Sequence, residues 1–151
     1  MTHVEFYSGI ADKPTYVVRL LRRAVGKQKR VAVVADEPTL ARLNADLWIE
    51  NPGDFVAHLM VLHGGAVLPR LHRTPIWLVS DAADAHRCDV LVNLHDAVPT
   101  SLPSFKRVIE LISVDRADID AGRKRWRRYQ SMPVQLSHPN ARVGSEAGPA
   151  A

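Results

Sequence analysis

The residues with the clearest capacity for chemistry lie near the C-terminus, where five of the 20 Lys and Arg residues fall within positions 123–128. On a helix, Arg123, Trp126 and Arg127 share one face, because residues three and four positions apart are neighbours. An indole offers a flat apolar surface, and a guanidinium beside it supplies charge and can stack on it. Such a face can bind an acidic peptide that carries an aromatic residue. It can also bind single-stranded nucleic acid through stacking and phosphate contacts.

The same segment also fits an ordinary solvated helix. Three aspartates precede the basic run, at positions 115, 118 and 120, and this order suits the helix dipole. Trp126 continues the helical stripe of Ile119, Gly122 and Tyr129, so packing into the core is a second interpretation of its side chain. Five basic residues in six nevertheless exceed what a dipole requires.

The rest of the sequence offers little support for catalysis. Residues 8–13 contain one glycine and match neither the dinucleotide fingerprint nor a P-loop. Residues 35–38 place two carboxylates where a phosphate would bind, and the histidines lack the spacing of a zinc site. The aspartates at 81, 84, 89 and 96 are explained by turn chemistry, since no nucleophile with a neighbouring base is evident. We therefore predict no catalytic residue, no metal and no cofactor.

Composition limits the cellular setting and the kind of partner. The net charge of +4 and the pI near 9.6 predict an anionic partner or an acidic patch on one. The single cysteine, Cys88, cannot form an internal disulfide, and we predict a buried structural thiol. No apolar run approaches the roughly 20 residues that cross a bilayer. These features predict a cytoplasmic protein.

The elements that would position the basic face alternate between strands and helices. Strands are predicted at residues 4–7 and 31–35. The segment 31–35 is apolar throughout, which is typical of a parallel strand covered on both faces. A helix is predicted between Pro14 and Gly26, and another is indicated by a leucine stripe at 40, 43 and 47. Further strands are predicted at 55–60, 76–79, 90–94 and 105–112, the last of which could instead begin a helix. The final helix is predicted over 118–130, with Asp115 or Asp118 near its cap.

This order predicts a single Rossmann-like α/β domain over residues 1–136. Its sheet should be mostly parallel or mixed, flanked by helices, and without a nucleotide-binding fingerprint. Residues 137–151 are rich in Ser, Pro, Gly and Ala, and we predict a disordered tail there.

Several segments, taken in order, resemble the DNA polymerase III chi subunit family. They are VEFY at 4–7, RVAVVAD at 30–36, LW at 47–48, NP at 51–52, DFVAH at 54–58, RCDVLVNL at 87–94 and RKRWRRY at 123–129. The resemblance covers about residues 3–132. Each motif is weak alone, whereas the ordered set is fairly specific.

The resemblance implies a non-catalytic accessory subunit that acts in DNA replication. Such a subunit links the clamp loader, through a second small subunit called psi, to the acidic C-terminal tail of single-stranded-DNA-binding protein, and any polymerase activity belongs to the whole assembly. It further implies that Trp48, Arg123, Trp126 and Arg127 line the tail-binding site and that Phe55 contacts psi. The chain departs from the expected pattern in carrying tryptophan rather than tyrosine at 126 and in the length of its tail.

The alternative function is a direct single-stranded nucleic-acid-binding module that uses the same basic helix. A groove that tracks a strand needs several exposed aromatic residues along a basic path. Aromatic residues make up only 6% of this chain, which favours the peptide-binding interpretation.

Overall fold

A computed structural model describes residues 1–49 and 56–139 of the chain. The strands are β1 (Thr2–Ile10), β2 (Val31–Val34), β3 (His58–Val61), β4 (Ile76–Val79), β5 (Val90–Asn93), β6 (Arg107–Ser113) and β7 (Val134–Ser137). The helices are α1 (Lys13–Gly26), α2 (Glu37–Ile49) and α3 (Arg116–Gln130). Short 3-10 turns lie at Pro69–Leu71, Ala82–Asp84 and Leu102–Ser104.

Within the described residues, the strands form one seven-stranded sheet in the order β3-β4-β2-β5-β6-β1-β7, and each of its pairings is parallel. The chain moves across the sheet in one direction from β1 to β3 and in the other direction from β3 to β7. Helices α1 and α2 belong to the first direction, and α3 belongs to the second. Because crossovers between parallel strands are right-handed, α1 and α2 cover one face and α3 covers the other. The predicted single α/β domain is confirmed.

The core has one layer on each face of the sheet, since successive strand residues point to opposite faces. On β2, Val31 and Val33 pack toward α1 and α2, whereas Ala32 and Val34 pack toward the α3 side. The α3 layer contains the largest buried ring, Trp77. Among the described residues, no helix is both long and apolar enough to cross a membrane.

Most elements match the sequence prediction, and the differences concern the bounds and type of individual segments. The strand expected at 55–60 is β3 at His58–Val61, and residues 105–112 contribute to strand β6 rather than to a helix. The expected turn at 51–54 and Phe55 lie outside the described residues.

The boundary predicted for the tail is wrong at its first residue. Ser137, expected to begin a disordered segment, instead ends β7, which pairs with β1 from Thr2↔Val134 to Glu5↔Ser137. The composition of this segment does not indicate a strand, because β7 lies at the edge of the sheet. Only Val134 and Leu136 of this strand are half-buried, and they alternate with exposed polar residues.

Candidate functional site

Helix α3 carries three of the four residues predicted for the binding site. Asp115 occupies the N-cap position, although its side chain makes no capping hydrogen bond. The first turn is anchored by Asp118, whose carboxylate accepts the Ser113 N–H at 2.7 Å and lies 3.2 Å from Lys13 Nζ. Burial opposes ionisation of Asp118, but the Ser113 hydrogen bond and the charge of Lys13 hold the pKa of this carboxyl below its ordinary value.

One member of the basic run points into the protein. Arg125 is only 2% exposed, and its Nε lies 2.9 Å from Oε1 of Glu110 on β6. The other Glu110 oxygen accepts Asn93 Nδ2 at 2.8 Å and the Tyr129 hydroxyl at 2.7 Å. Burial raises the pKa of the Glu110 carboxyl, and Arg125 and the hydrogen bonds oppose that rise.

This network is not evident from the sequence, where Arg125 belongs to the basic run. The available signal is Glu110 itself, because a glutamate in the middle of an apolar strand indicates a need for a buried partner. The i, i+4 spacing of Arg125 and Tyr129 places both side chains on the inner face of α3.

Trp126 lies at the boundary between core and surface. Its ring meets Phe6 of β1 edge-to-face, with 5.0 Å between centroids, and the side chain is half-buried. Packing on Phe6 fixes the orientation of the indole, in agreement with the core-packing interpretation, and the half-exposed part of the ring leaves the binding interpretation as a prediction. A Cβ at Gly122 would overlap the δ-methyl of Ile112, so this glycine permits the close approach of α3 to β6.

Arg123 and Arg127 are exposed beside this indole. With 3.6 residues per turn, they lie about 60° and 100° around α3 from Trp126, whereas Lys124 and Arg128 lie about 160° and 200° away. A ring face beside two guanidiniums can hold an aromatic group while the guanidiniums pair with carboxylates through charge-assisted hydrogen bonds.

An acidic residue already borders one of these guanidiniums. Asp120 Oδ1 lies 3.8 Å from Arg123 Nη1 and 3.4 Å from Arg116 Nε. Exposed pairs of this kind contribute about 0–1 kcal/mol, so a ligand carboxylate can displace Asp120 from Arg123 at small cost.

Trp48 does not lie with the other three predicted residues. It is 60% exposed near the end of α2, and its ring contacts His58 of β3, with 5.4 Å between centroids. Helix α2 covers the face opposite α3, and β3 is five strands from β1, a separation of roughly 24 Å at the usual strand spacing. Phe55, the residue predicted to contact psi, lies outside the described residues.

The acidic cluster at the strand ends has structural partners. Asp81 Oδ1 accepts the Ala83 N–H and the Thr100 hydroxyl, each at 3.0 Å, and Asp84 Oδ2 accepts the Gly64 N–H at 3.1 Å. Asp81 and Asp84 border a cleft of about 640 Å³ at the carboxyl edge of the sheet. In the part of the chain that the structure describes, no group of three His, Cys, Asp or Glu side chains could hold a metal ion.

Cys88 is a buried thiol, as the sequence predicted. It is 5% exposed and packs in the α3 layer of the core. Burial raises the pKa of this thiol to about 12, so it is protonated at neutral pH.

The fold and the site define a small α/β protein whose distinctive surface chemistry is a basic, aromatic face on its last helix. Residues 1–137 match the family model described as "DNA polymerase III chi subunit, HolC", and the chain belongs to this family. Membership supports the role of an accessory subunit of DNA polymerase III in DNA replication.

Two individual proteins illustrate the likeness. The chain is 27% identical over 142 residues to the DNA polymerase III subunit chi of Pseudomonas aeruginosa, across 89% of this chain and 95% of that protein. It is also similar to a solved structure of Mss116p DEAD-box helicase domain 2 bound to an RNA duplex, with a TM-score of 0.57 and 9% identity. That match covers 97% of this chain and 66% of the other, so this chain spans just under two thirds of its length. At this identity the likeness concerns the fold alone.

Proposed function

We propose that this protein is a non-catalytic adaptor that links the DNA polymerase III clamp loader to single-stranded-DNA-binding protein. It does so by binding that protein's acidic C-terminal tail on one surface and the psi subunit on another. This role in replication would place the protein in the bacterial cytoplasm.

The observation that carries the proposal is the arrangement of Arg123, Trp126 and Arg127 on α3. A tail of this kind combines acidic side chains and a terminal carboxylate with a terminal aromatic ring. The indole, held against Phe6, supplies an apolar surface for that ring. The two exposed guanidiniums supply partners for the carboxylates, which is the pairing that gives short, charge-assisted hydrogen bonds.

The psi contact is proposed at the opposite edge of the sheet. The sequence predicts that Phe55 makes this contact, and the residues that follow it are Val56 and, from His58, the edge strand β3. Trp48, 60% exposed, and Met60, 36% exposed, lie on the α2 side of this edge. Exposed large apolar side chains next to an edge strand suit a protein partner. This position favours psi over the tail as the neighbour of Trp48.

Calorimetric titration with an acidic peptide ending in Pro-Phe tests the tail site. We expect binding that weakens between low and high salt, because exposed charge pairs are screened. We expect Trp126→Ala and Arg127→Ala each to weaken binding about tenfold or more, which corresponds to losing one good contact of about 1.4 kcal/mol.

The matched control is Arg128→Ala, which removes the same charge from the far side of the same helix. Its affinity should stay within about threefold of the wild type, as expected for a long-range charge effect alone. Circular dichroism would verify that each variant is folded. Failure to bind the peptide, together with tight binding of a single-stranded oligonucleotide, would overturn the adaptor function and support the nucleic-acid-binding alternative.

A further inference from the structure

On the Trp126 side of α3, the indole lies near a second ring, the imidazole of His138, which is the residue just after β7. The imidazole of His138 lies with its centroid 6.2 Å from that of Trp126, at an interplanar angle of 55°. Its Nε2 is 2.8 Å from the hydroxyl oxygen of Ser8, near the end of β1. Three elements therefore meet around the indole: α3, β1 and the segment that follows β7.

Strand geometry explains why these groups share a face. Phe6 and Ser8 are two residues apart on β1, so they point to the same side of the sheet. His138 directly follows the last residue of β7, and its hydrogen bond to Ser8 places it on that side as well. Phe6 and Leu136 pack inward against the α3 layer. Ser8 and His138 lie one step closer to the carboxyl edge, where His138 is exposed.

We propose that His138 is part of the tail-binding site and makes affinity for an acidic peptide increase as the pH falls. This inference rests on the proposed function, and it assigns a ligand contact to a residue outside the basic helix. The Ser8 hydrogen bond engages Nε2, so Nδ1 is the ring nitrogen that would meet a bound carboxylate. In the imidazolium both ring nitrogens donate, so His138 can hold its bond to Ser8 and donate to the peptide together.

The surrounding groups determine the sign of the pH effect. On α3, the charged residues within about 120° of Trp126 around the helix include the cations Arg116, Arg123 and Arg127, the acidic Asp120 that pairs with two of them, and Asp118, which is paired with Lys13. The inward residues of β1 and β7 near His138 carry no charge. Guanidiniums do not titrate near neutrality, and ordinary carboxyl groups titrate well below pH 6. Of the groups on this face, the imidazole is the one that becomes a cation when it takes up a proton, so protonation of His138 would add a positive charge beside the two guanidiniums.

The test is calorimetric titration of the full chain with a histidine-free acidic peptide ending in Pro-Phe, at pH 8.0 and pH 6.0 and constant ionic strength. The wild type should bind about threefold to tenfold more tightly at pH 6.0, the effect of one added charge-assisted hydrogen bond. In His138→Gln the ratio of the affinity at pH 6.0 to the affinity at pH 8.0 should fall to about one, and the affinity at pH 8.0 should stay near that of the wild type. The matched control is His95→Gln, which removes a histidine at the end of β5 and should keep the wild-type ratio.

The results of this titration distinguish a failure of the His138 inference from a failure of the proposed tail-binding function. If His138→Gln keeps the wild-type pH ratio while Trp126→Ala still abolishes binding, His138 is not in the site and the tail-binding function stands. If the wild type binds the peptide at neither pH, both the function and the inference are wrong.

Discussion

Two arginines of the basic run, Arg123 and Arg125, have opposite roles although one residue separates them. Arg123 is exposed beside Trp126 and available to a ligand, whereas Arg125 is buried against Glu110. A rotation of about 200° around the helix over two residues explains the difference. The charge that α3 presents to solvent is therefore one smaller than the run suggests.

Replacing Arg125 should destabilise the protein without touching the proposed binding face. In Arg125→Met, the Glu110 carboxyl must stay buried without its cation or take up a proton. Breaking a buried pair in this way costs about 3–5 kcal/mol. Urea unfolding followed by circular dichroism measures the loss, and exposed Arg128→Met should change stability by less than about 0.5 kcal/mol. A loss below about 1 kcal/mol in Arg125→Met would contradict the role assigned to the pair.

Cys88 should be chemically inert in the folded protein. Its pKa of about 12 leaves almost no thiolate at pH 8, and burial blocks access to the sulfur. We expect reaction with a chromogenic disulfide reagent to be about 100-fold slower, or more, in the native protein than in urea. Equally rapid labelling in both conditions would show that the thiol is exposed.

At the scale of elements, the start of α3 is held by a contact that links it to β6 and to α1. Asp118 accepts the Ser113 N–H and pairs with Lys13, so one carboxylate joins three elements. These contacts act together with the Glu110 network to determine which side of α3 faces outward.

The Asp118 contact should contribute stability that depends on pH. Since its folded-state pKa is lower than the unfolded value of 3.8, the contribution is present above that value and is lost as the pH falls through the folded-state pKa. Asp118→Asn should be less stable than the wild type by about 1–2 kcal/mol at pH 7, and the two should converge toward pH 2. Urea unfolding at several pH values checks this, with Asp120→Asn as the exposed control. A difference that persists at pH 2 would mean that the ionised carboxylate is not responsible.

Asp120 should weaken peptide binding by competing for Arg123. Removing its charge in Asp120→Asn frees the guanidinium and reduces repulsion of an acidic ligand. Since exposed pairs contribute about 0.2–1 kcal/mol, we expect affinity to increase by about 1.5-fold to fivefold at low salt. Titration with the acidic peptide measures this, and weaker binding by the variant would place the ligand elsewhere.

At the scale of the whole molecule, the two sides of the sheet carry different candidate surfaces. The basic, aromatic face of α3 lies over β1 and the β7 edge, and the exposed pair Trp48 and Met60 lies at the β3 edge on the opposite face. Such separation allows an adaptor to bind two partners at once without competition between them.

The separation predicts that Trp48 does not contribute to peptide binding. Trp48→Ala should bind the acidic peptide within about twofold of the wild type, because the Trp48 ring contacts β3, which is five strands, or roughly 24 Å, from the strand that supports Trp126. The same variant should bind purified psi subunit more weakly, as measured by sedimentation or calorimetry. Loss of peptide binding in Trp48→Ala would show that the tail contacts both faces of the protein.

The sequence by itself determined the class of fold, most elements and the chemistry of the last helix. Apolar runs identify β2, β4 and β5, and the spacing of apolar residues together with Pro14 and Gly26 defines α1. The proximity of Arg123, Trp126 and Arg127 follows from helical geometry alone. These features are local, so residue order is sufficient to predict them.

Only the tertiary structure decided which of these residues share a surface. Trp48 and Trp126 lie on opposite faces because strand order and crossover direction, not chain position, determine where α2 and α3 pack. Arg125 is buried because Glu110 of β6 needs a partner, and β7 forms because β1 offers it an edge. Ser8 and His138 are 130 residues apart in the chain, and their hydrogen bond exists only because β1 and β7 are neighbours in the sheet.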